Sequence, residues 1–285
     1  MASVLRARRL TEQGFLHGFS TRAGGVSLPP YATLNLAAEV GDDPASVAEN
    51  QRRFAVEVGY APERLFVVSQ VHGAAVRVVG PHDAPERVRA EAADGLVAGA
   101  GACVGVRTAD CVPILLADPE TRAVAALHAG WKGCVAGVVG AGVQALARHS
   151  AAPPARLSAA IFPHIRVCCF EVGADVAEAL AAAAPGGEVV RRGDALRKDG
   201  ARGELRPGGA VRADVGLGAG QALADGGKPR VALVEIVRAQ LLAAGLLAAA
   251  IDDVPGCTCC EPERFFSYRR DASASGRHLA AIVAG

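Results

Sequence analysis

Residues 103–131 read CVGVRTADCVPILLADPETRAVAALHAGW, and this stretch decides the fold class. Three apolar, β-rich segments follow one another here, at Cys103–Thr108, Pro113–Ala117 and Ala123–His128. Asp and Pro punctuate them as turn signals. A helical pattern then runs from about Trp131 to His149. Consecutive strands with short turns, followed by a helix, do not make a regular βαβ alternation. The reading is therefore an α+β, mixed α/β fold, with mixed sheets flanked by helices.

Working outward, β-rich segments precede this stretch at Arg64–Val71, Val76–Val79 and Gly95–Val97. Before them, Asp43 or Ser46 can cap a helix running to about Val58, with Val47, Phe54 and Val58 on one face. Phe15 to Leu36 reads as a strand, a Gly/Pro-rich loop and a second short extended piece. The second half carries strand patterns at Leu157–Ile161, Ala249–Val254, Phe265–Tyr268 and His278–Val283, and helical patterns at Val172–Ala183 and Val231–Ala244. Between Pro185 and Lys228 a Gly- and charge-rich stretch without periodicity reads as a surface excursion and a candidate lid. No composition shift marks a linker, so residues 1–285 are expected to form one domain.

Lys+Arg 30 against Asp+Glu 29 leaves a net charge of +1. Such a balance provides no long-range field for nucleic acid or an anionic membrane. The apolar run Val231–Ile251 contains Glu235 and Arg238, which disfavour a membrane span. The N-terminus is basic but lacks the apolar run of a signal peptide. A cytoplasmic protein is expected, and its eight cysteines are then reduced rather than paired.

Three segments each end a strand with a side chain able to bind metal: SQVHG with His72, RTADC with Cys111, and ALHAGWKG with His128. Two imidazoles and one thiolate suit zinc and leave a fourth position open. A zinc so held lowers the pKa of its water to about 7. A histidine at a strand end is more often a hydrogen-bonded core residue, and a cysteine a small buried hydrophobe. Spacing alone does not decide between these readings. Asp110, beside Cys111, reads equally as an acid/base group, as an orienting partner, or as the cap of a turn.

Further motifs are FSTRAGGVS, LNLAAEVGDDP, QVHG, ADGLV, TADCVPILLAD, ALHAGWKG, CCFEVG, RAQLLAAG, CTCC and FFSYRRD. In this order they resemble the bacterial YfiH/YlmD family, related to the human protein FAMIN. Its members have been called laccase-domain proteins, multicopper polyphenol oxidases, purine nucleoside phosphorylases and peptidoglycan editing factors. The resemblance implies a YfiH-like fold and a catalytic zinc on His72, Cys111 and His128. It also implies phosphorolysis of adenosine, inosine and S-methyl-5'-thioadenosine, and hydrolytic deamination of adenosine. The partners would be a purine nucleoside and phosphate. A zinc-activated water attacking C6 of adenine fits the deamination, with Asp110 the nearest proton shuttle in sequence.

Phosphorolysis needs an anion pocket. Arg22 in TRAGG lies beside Gly24 and Gly25, where backbone can approach phosphate closely, or where the glycines only make a turn. Asn35 is placed to hold a ribose hydroxyl or to cap a local turn. Arg269, Arg270 and Arg277 form a basic group near the C-terminus that can bind an anion or pair with carboxylates. The CTCC cysteines (Cys257, Cys259, Cys260), like Cys168 and Cys169, read as buried, reduced loops rather than a complete metal knuckle. Two motifs depart from the family pattern. Phe162-Pro163 stands where relatives show Gly-Pro, and Ala232-Leu233-Val234 where they show Asp-Leu-Trp. Both bear on pocket shape and nucleoside preference.

Competing readings differ in chemistry. A multicopper oxidase needs more histidines than the seven present, commonly in His-x-His pairs, and this chain has none of those pairs. Copper replacing zinc at a single site could still give weak polyphenol oxidation, since copper outranks zinc in affinity. A second alternative is an amidase, cysteine- or zinc-dependent, acting on muramyl-peptide precursors of peptidoglycan. In its cysteine form Cys111 is the nucleophile and a histidine the base.

Overall fold

Strand side chains in the 103–131 stretch are buried on both faces, and the two faces enter different cores. A computed structural model describes residues 1–185, 190–191 and 228–285. Its strands are β1 (Val4–Leu5), β2 (His17–Ser20), β3 (Leu65–Phe66), β4 (Val76–Val79), β5 (Gly95–Ala98), β6 (Cys103–Thr108) and β7 (Val112–Ala117). They continue with β8 (Val124–Ala129), β9 (Ser158–Ile161), β10 (Val190–Arg191), β11 (Arg230–Val231), β12 (Ile251–Asp253) and β13 (His278–Val283). The helices are α1 (Arg8–Glu12), α2 (Pro44–Val58), α3 (Pro85–Val88), α4 (Trp131–Ala136), α5 (Val138–Ser150), α6 (Ala174–Ala182), α7 (Leu233–Ala243) and α8 (Tyr268–Asp271). The excursion expected between Pro185 and Lys228 falls mostly on residues 186–189 and 192–227, outside the described residues.

While β10 and β11 form a separate antiparallel pair, one large sheet has the order β1-β2-β13-β6-β3 and the other β12-β9-β7-β8-β5-β4. Both are mixed: β3 runs parallel to β6, β4 to β5 and β12 to β9, and the other pairs are antiparallel. Period-two alternation sorts their side chains into layers. Val104, Val106, Leu115, Ala117, Val124 and Ala126 fill the space between the sheets. Ile114, Leu116, Ala125 and Leu127 face the other way, against α5 and α7. Cys103, Leu279 and Ala281 meet Phe54 and Val58 of α2 on the far side. Each large apolar side chain removed from water contributes roughly 1.5–3 kcal/mol before the entropy of ordering is counted. The helix α5 lies directly on β8, because a Cβ on Gly142 would stand 2.4 Å from both Leu127 methyls.

The expected helix after Pro44 is present, with Asp43 accepting a hydrogen bond from the Ser46 amide and Val47, Phe54 and Val58 buried. Three expectations need correction. The helix from Trp131 to His149 is broken at Gly137, whose φ of 85° lies in the left-handed region that glycine tolerates. Phe265–Tyr268 is not a strand. Phe265 and Phe266 are apolar because they are buried, and Ser267 caps α8 by accepting from the Arg270 amide. The Arg64–Val71 segment forms a strand only at Leu65–Phe66, with a single further parallel bridge from Ser69 to Ala92. Beyond it, the Gln70 amide both donates to and accepts from the Arg107 backbone at 2.8 Å, so a side chain continues the ladder.

Candidate metal centre and its cavity

The turn Ala109–Cys111 carries the chain from β6 in one sheet to β7 in the other. Cys111 therefore stands where the sheets meet, next to the end of β8, which carries His128 opposite Pro113. His72 comes from the loop between β3 and β4 and takes a positive φ of 61°. The ligand atoms of His72, Cys111 and His128 all lie within 4.8 Å of one another. The two imidazoles meet edge-on, with centroids 4.8 Å apart. Gly130 makes room for the group: a Cβ there would stand 2.9 Å from the Cys111 sulfur and 3.1 Å from Cδ2 of His72.

A fourth residue organises the three. Asp94 is fully buried and immediately precedes β5. The antiparallel pairing of β5 with β8 sets Gly95 opposite Leu127, which brings the Asp94 carboxylate beside the His128 ring. Its Oδ1 lies 2.8 Å from His128 Nδ1 and accepts from the His72 amide at 2.9 Å. Its Oδ2 accepts from the amides of Val71 and Gly73 at 3.2 and 2.6 Å. One carboxylate thus holds the His72 loop and places the proton of His128 on Nδ1, which leaves Nε2 free to ligate. The ADGLV motif contained this residue, but no role could be read from it.

The electrostatics suit a cation. Burial pushes the Cys111 thiol up, but His128 and His72 outweigh it and bring the thiol down to about 6. Burial opposes charge on His128, yet the Cys111 sulfur and Asp94 raise it to about 9. Burial also opposes ionisation of Asp94, and its hydrogen bonds from His128 and from the Gly73 and His72 amides still hold it below its ordinary value. The group therefore stores a thiolate next to protonated imidazole, and a metal ion would displace that proton. All seven histidines lie among the described residues, and only His72 and His128 share a candidate metal group.

The centre opens into a cavity of about 780 Å³. Arg89, Arg107, Arg269 and Arg277 line it against two carboxylates, Glu39 and Asp110. Arg107 pairs with Glu39 at 2.5 Å, but its buried Nε has no partner. Arg89, Arg269 and Arg277 pair with no carboxylate among the described residues. Burial lowers the pKa of Arg107 and Arg277, a cost that a bound anion would offset. Phe170 and Tyr268 add aromatic surface to the wall.

The other residues singled out by sequence are more dispersed. Asp110 does line the cavity, with a positive φ of 93°. Its Oδ1 accepts from the Thr258 hydroxyl and its Oδ2 from the Arg269 amide, each at 2.6 Å. Arg22 and Asn35 are not among the lining residues. The Arg22 guanidinium donates to the carbonyls of Ala32 and Pro262 and lies over the Phe266 ring. Gly24 and Gly25 leave space for backbone: added Cβ atoms would stand 2.2 Å from the Met1 carbonyl oxygen and 2.1 Å from that of Thr33. Asn35 is fully buried, and its Oδ1 accepts from the Arg277 amide at 2.9 Å, so it reaches the cavity through Arg277. The cavity arginines Arg89 and Arg107 were missed. Neither sits in a motif that marks an anion site, and only folding turns them inward.

No helix among the described residues is long and apolar enough to cross a membrane. Among curated proteins, the chain is 37% identical over 267 residues to a purine nucleoside phosphorylase of Deinococcus radiodurans, covering 93% of this chain and 88% of that protein. It is 45% identical over 180 residues to a purine nucleoside phosphorylase of Streptomyces coelicolor, covering 62% and 73% respectively. Among solved structures, YlmD from Geobacillus stearothermophilus superposes with a TM-score of 0.80 at 31% identity, over 99% of this chain and 96% of that one. Bacillus licheniformis YfiH gives a TM-score of 0.79 at 26% identity, over 94% and 92%. Residues 16–285 match the family described as multi-copper polyphenol oxidoreductase laccase, and the chain belongs to that family, alongside YfiH and YlmD.

Proposed function

We propose that the chain is a zinc-dependent purine nucleoside phosphorylase acting in the cavity above His72, Cys111 and His128. One observation carries this reading: a three-ligand centre with an open side faces a cavity lined by four arginines. Two imidazoles and a thiolate fit zinc, and a carboxylate behind one imidazole is the partner such a ligand usually has. The multi-copper arrangement in the family description does not fit, because only two of the seven histidines share a candidate metal group. Copper could occupy this one site in place of zinc.

In phosphorolysis the bond between C1' and the purine nitrogen breaks, and a phosphate oxygen bonds to C1'. The electron pair leaves with the base, which must take up a proton. Arg107 and Arg277, with Arg89 and Arg269 beside them, would bind the phosphate. Phe170 and Tyr268 would flank the base by stacking. Zinc bound at the centre would supply Lewis-acid polarisation of a reacting oxygen. The same cavity would admit inosine and S-methyl-5'-thioadenosine. Hydrolytic deamination of adenosine would need a proton carrier near the centre, a role we assign to Asp110, which lines the cavity.

The test is product analysis. Metal-loaded protein is given adenosine with and without phosphate, and adenine is resolved from inosine. Adenine formed only with phosphate is expected, with inosine reporting deamination. Absence of both products would overturn the proposal. The depressed Cys111 thiol favours one second reading, a cysteine amidase on muramyl-peptide precursors. Iodoacetamide alkylation of Cys111 undiminished by bound zinc would support it, and protection by zinc would count against it.

A further inference from the structure

Outside the cavity, two cysteine-bearing turns far apart in sequence come together. The Cys168 sulfur lies 3.5 Å from that of Cys257 and 3.3 Å from that of Cys260. The Cys169 sulfur lies 3.1 Å from that of Cys260. All four sulfurs fall within 4.8 Å of one another. We propose that Cys168, Cys169, Cys257 and Cys260 form a second metal site, a closed tetrathiolate that takes zinc. Nothing in this depends on what the cavity binds.

Geometry selects the ligand. Four thiolates about 2.3 Å from a tetrahedral zinc stand about 3.8 Å apart along each edge. The observed separations of 3.1 to 3.5 Å, within an outer limit of 4.8 Å, need only small adjustments to reach that shape. An iron–sulfur cluster would require a wider ring of sulfurs around several iron atoms. Cys257 and Cys260 also have the C-x-x-C spacing of a zinc knuckle, with Cys168 and Cys169 supplying the other half. Cys260 is exposed and Cys168 and Cys169 are half-buried, so the cluster is open to metal from solvent, which the expected buried loop would not be.

The surroundings suit an anionic tetrathiolate. The Arg166 amide donates to the Cys257 sulfur at 3.4 Å. Arg270 donates to the carbonyls of Thr258 and Cys259, and Arg269 to that of Cys169. The guanidinium groups of Arg166, Arg269 and Arg270 thus fix the two turns through their carbonyls, Arg166 and Arg270 being also paired with Asp253 and Asp271. The site would also staple the cavity wall. Thr258 lies within the knuckle and donates to Asp110, and Phe170 directly follows Cys169.

The full chain, expressed with zinc and purified under reductant, provides the test. Metal analysis and X-ray absorption are applied to wild type and to the His72→Ala/His128→Ala double variant. The wild type should hold one zinc in an all-sulfur shell, whatever its His72, Cys111 and His128 centre binds. The double variant should keep one, with four sulfurs at about 2.3 Å. The Cys168→Ser/Cys260→Ser variant should lose that all-sulfur signal and keep the mixed nitrogen–sulfur one. If it fails to fold, the histidine double variant decides alone. A double variant without zinc, or one whose zinc has a mixed shell, would overturn the proposal. So would a disulfide among these four cysteines that persists under reductant.

Discussion

Two buried aspartates flank the candidate metal centre and hold different things. Asp94 is 22 residues from His72 and 34 from His128 in sequence, yet it touches the ring of one and the backbone of the other. Asp110 is adjacent to Cys111 in sequence, yet its carboxylate is bound to Thr258 and Arg269 on the cavity wall. Asp94 is therefore bonded to the candidate ligands, and Asp110 to the cavity wall. Adjacency along the chain marked the second, and only strand register reveals the first.

Removing a ligand outright should have the largest effect, against which both aspartates are measured. His128→Ala should abolish both zinc binding at the centre and nucleoside turnover, checked by metal analysis and product chromatography. Turnover retained without that ligand would remove the metal from the chemistry. The next effect belongs to Asp94. Asp94→Asn presents an NH2 group to amides that are themselves donors, and should weaken zinc at the centre about 10- to 100-fold. A competitive chelator titration measures this. The same substitution at Asp110 should leave zinc affinity within about threefold of wild type and act instead on KM, since losses of 10-fold or more follow from groups that hold a ligand directly.

A fourth prediction concerns stability rather than the site. His17 and His278 are fully buried, and hydrogen bonds from the amides of Ala7 and Phe266 require their Nε2 atoms to be unprotonated. Burial lowers both, His278 to about 3. The unfolded chain binds a proton on each near pH 6.5, while the folded chain resists protonation of both, His278 down to about pH 3. Their contribution is thus complete above about pH 6.5 and is lost as pH falls, at about 1.4 kcal/mol per pH unit for His278 between about pH 6.5 and its folded value, with His17 adding in the same direction. Urea midpoints measured between pH 7 and pH 5 should fall, and His278→Gln should flatten the slope. The smallest expected effect is on phosphate. Arg107→Lys removes the planar fork, and should raise the KM for phosphate about 10-fold through loss of roughly 1.4 kcal/mol of charge-assisted bonding.

Much of the scaffold was legible because it rests on local pattern. The apolar, β-rich runs Cys103–Thr108 and His278–Val283, and the Asp43 cap before α2, are readable one segment at a time. Of the three metal-capable residues only His128 sits in a strand as expected, while His72 lies in the loop after β3 and Cys111 in the turn before β7; as residue types all three were visible. Contacts made by register were not. Asp94 reaches His128 only because β5 pairs with β8, and the four cysteines meet only because their two turns are packed side by side. Burial also misled in places: Phe265 and Phe266 look like a strand but are core residues in a turn, and Arg22 is spent on carbonyls of neighbouring loops.

The most direct test is a zinc titration read by phosphate-dependent release of adenine. Protein stripped of metal should be inactive, and turnover should rise with zinc bound at His72, Cys111 and His128, with no recovery in His72→Ala. Undiminished phosphorolysis by the stripped protein, or by His72→Ala, would contradict a zinc-dependent phosphorylase.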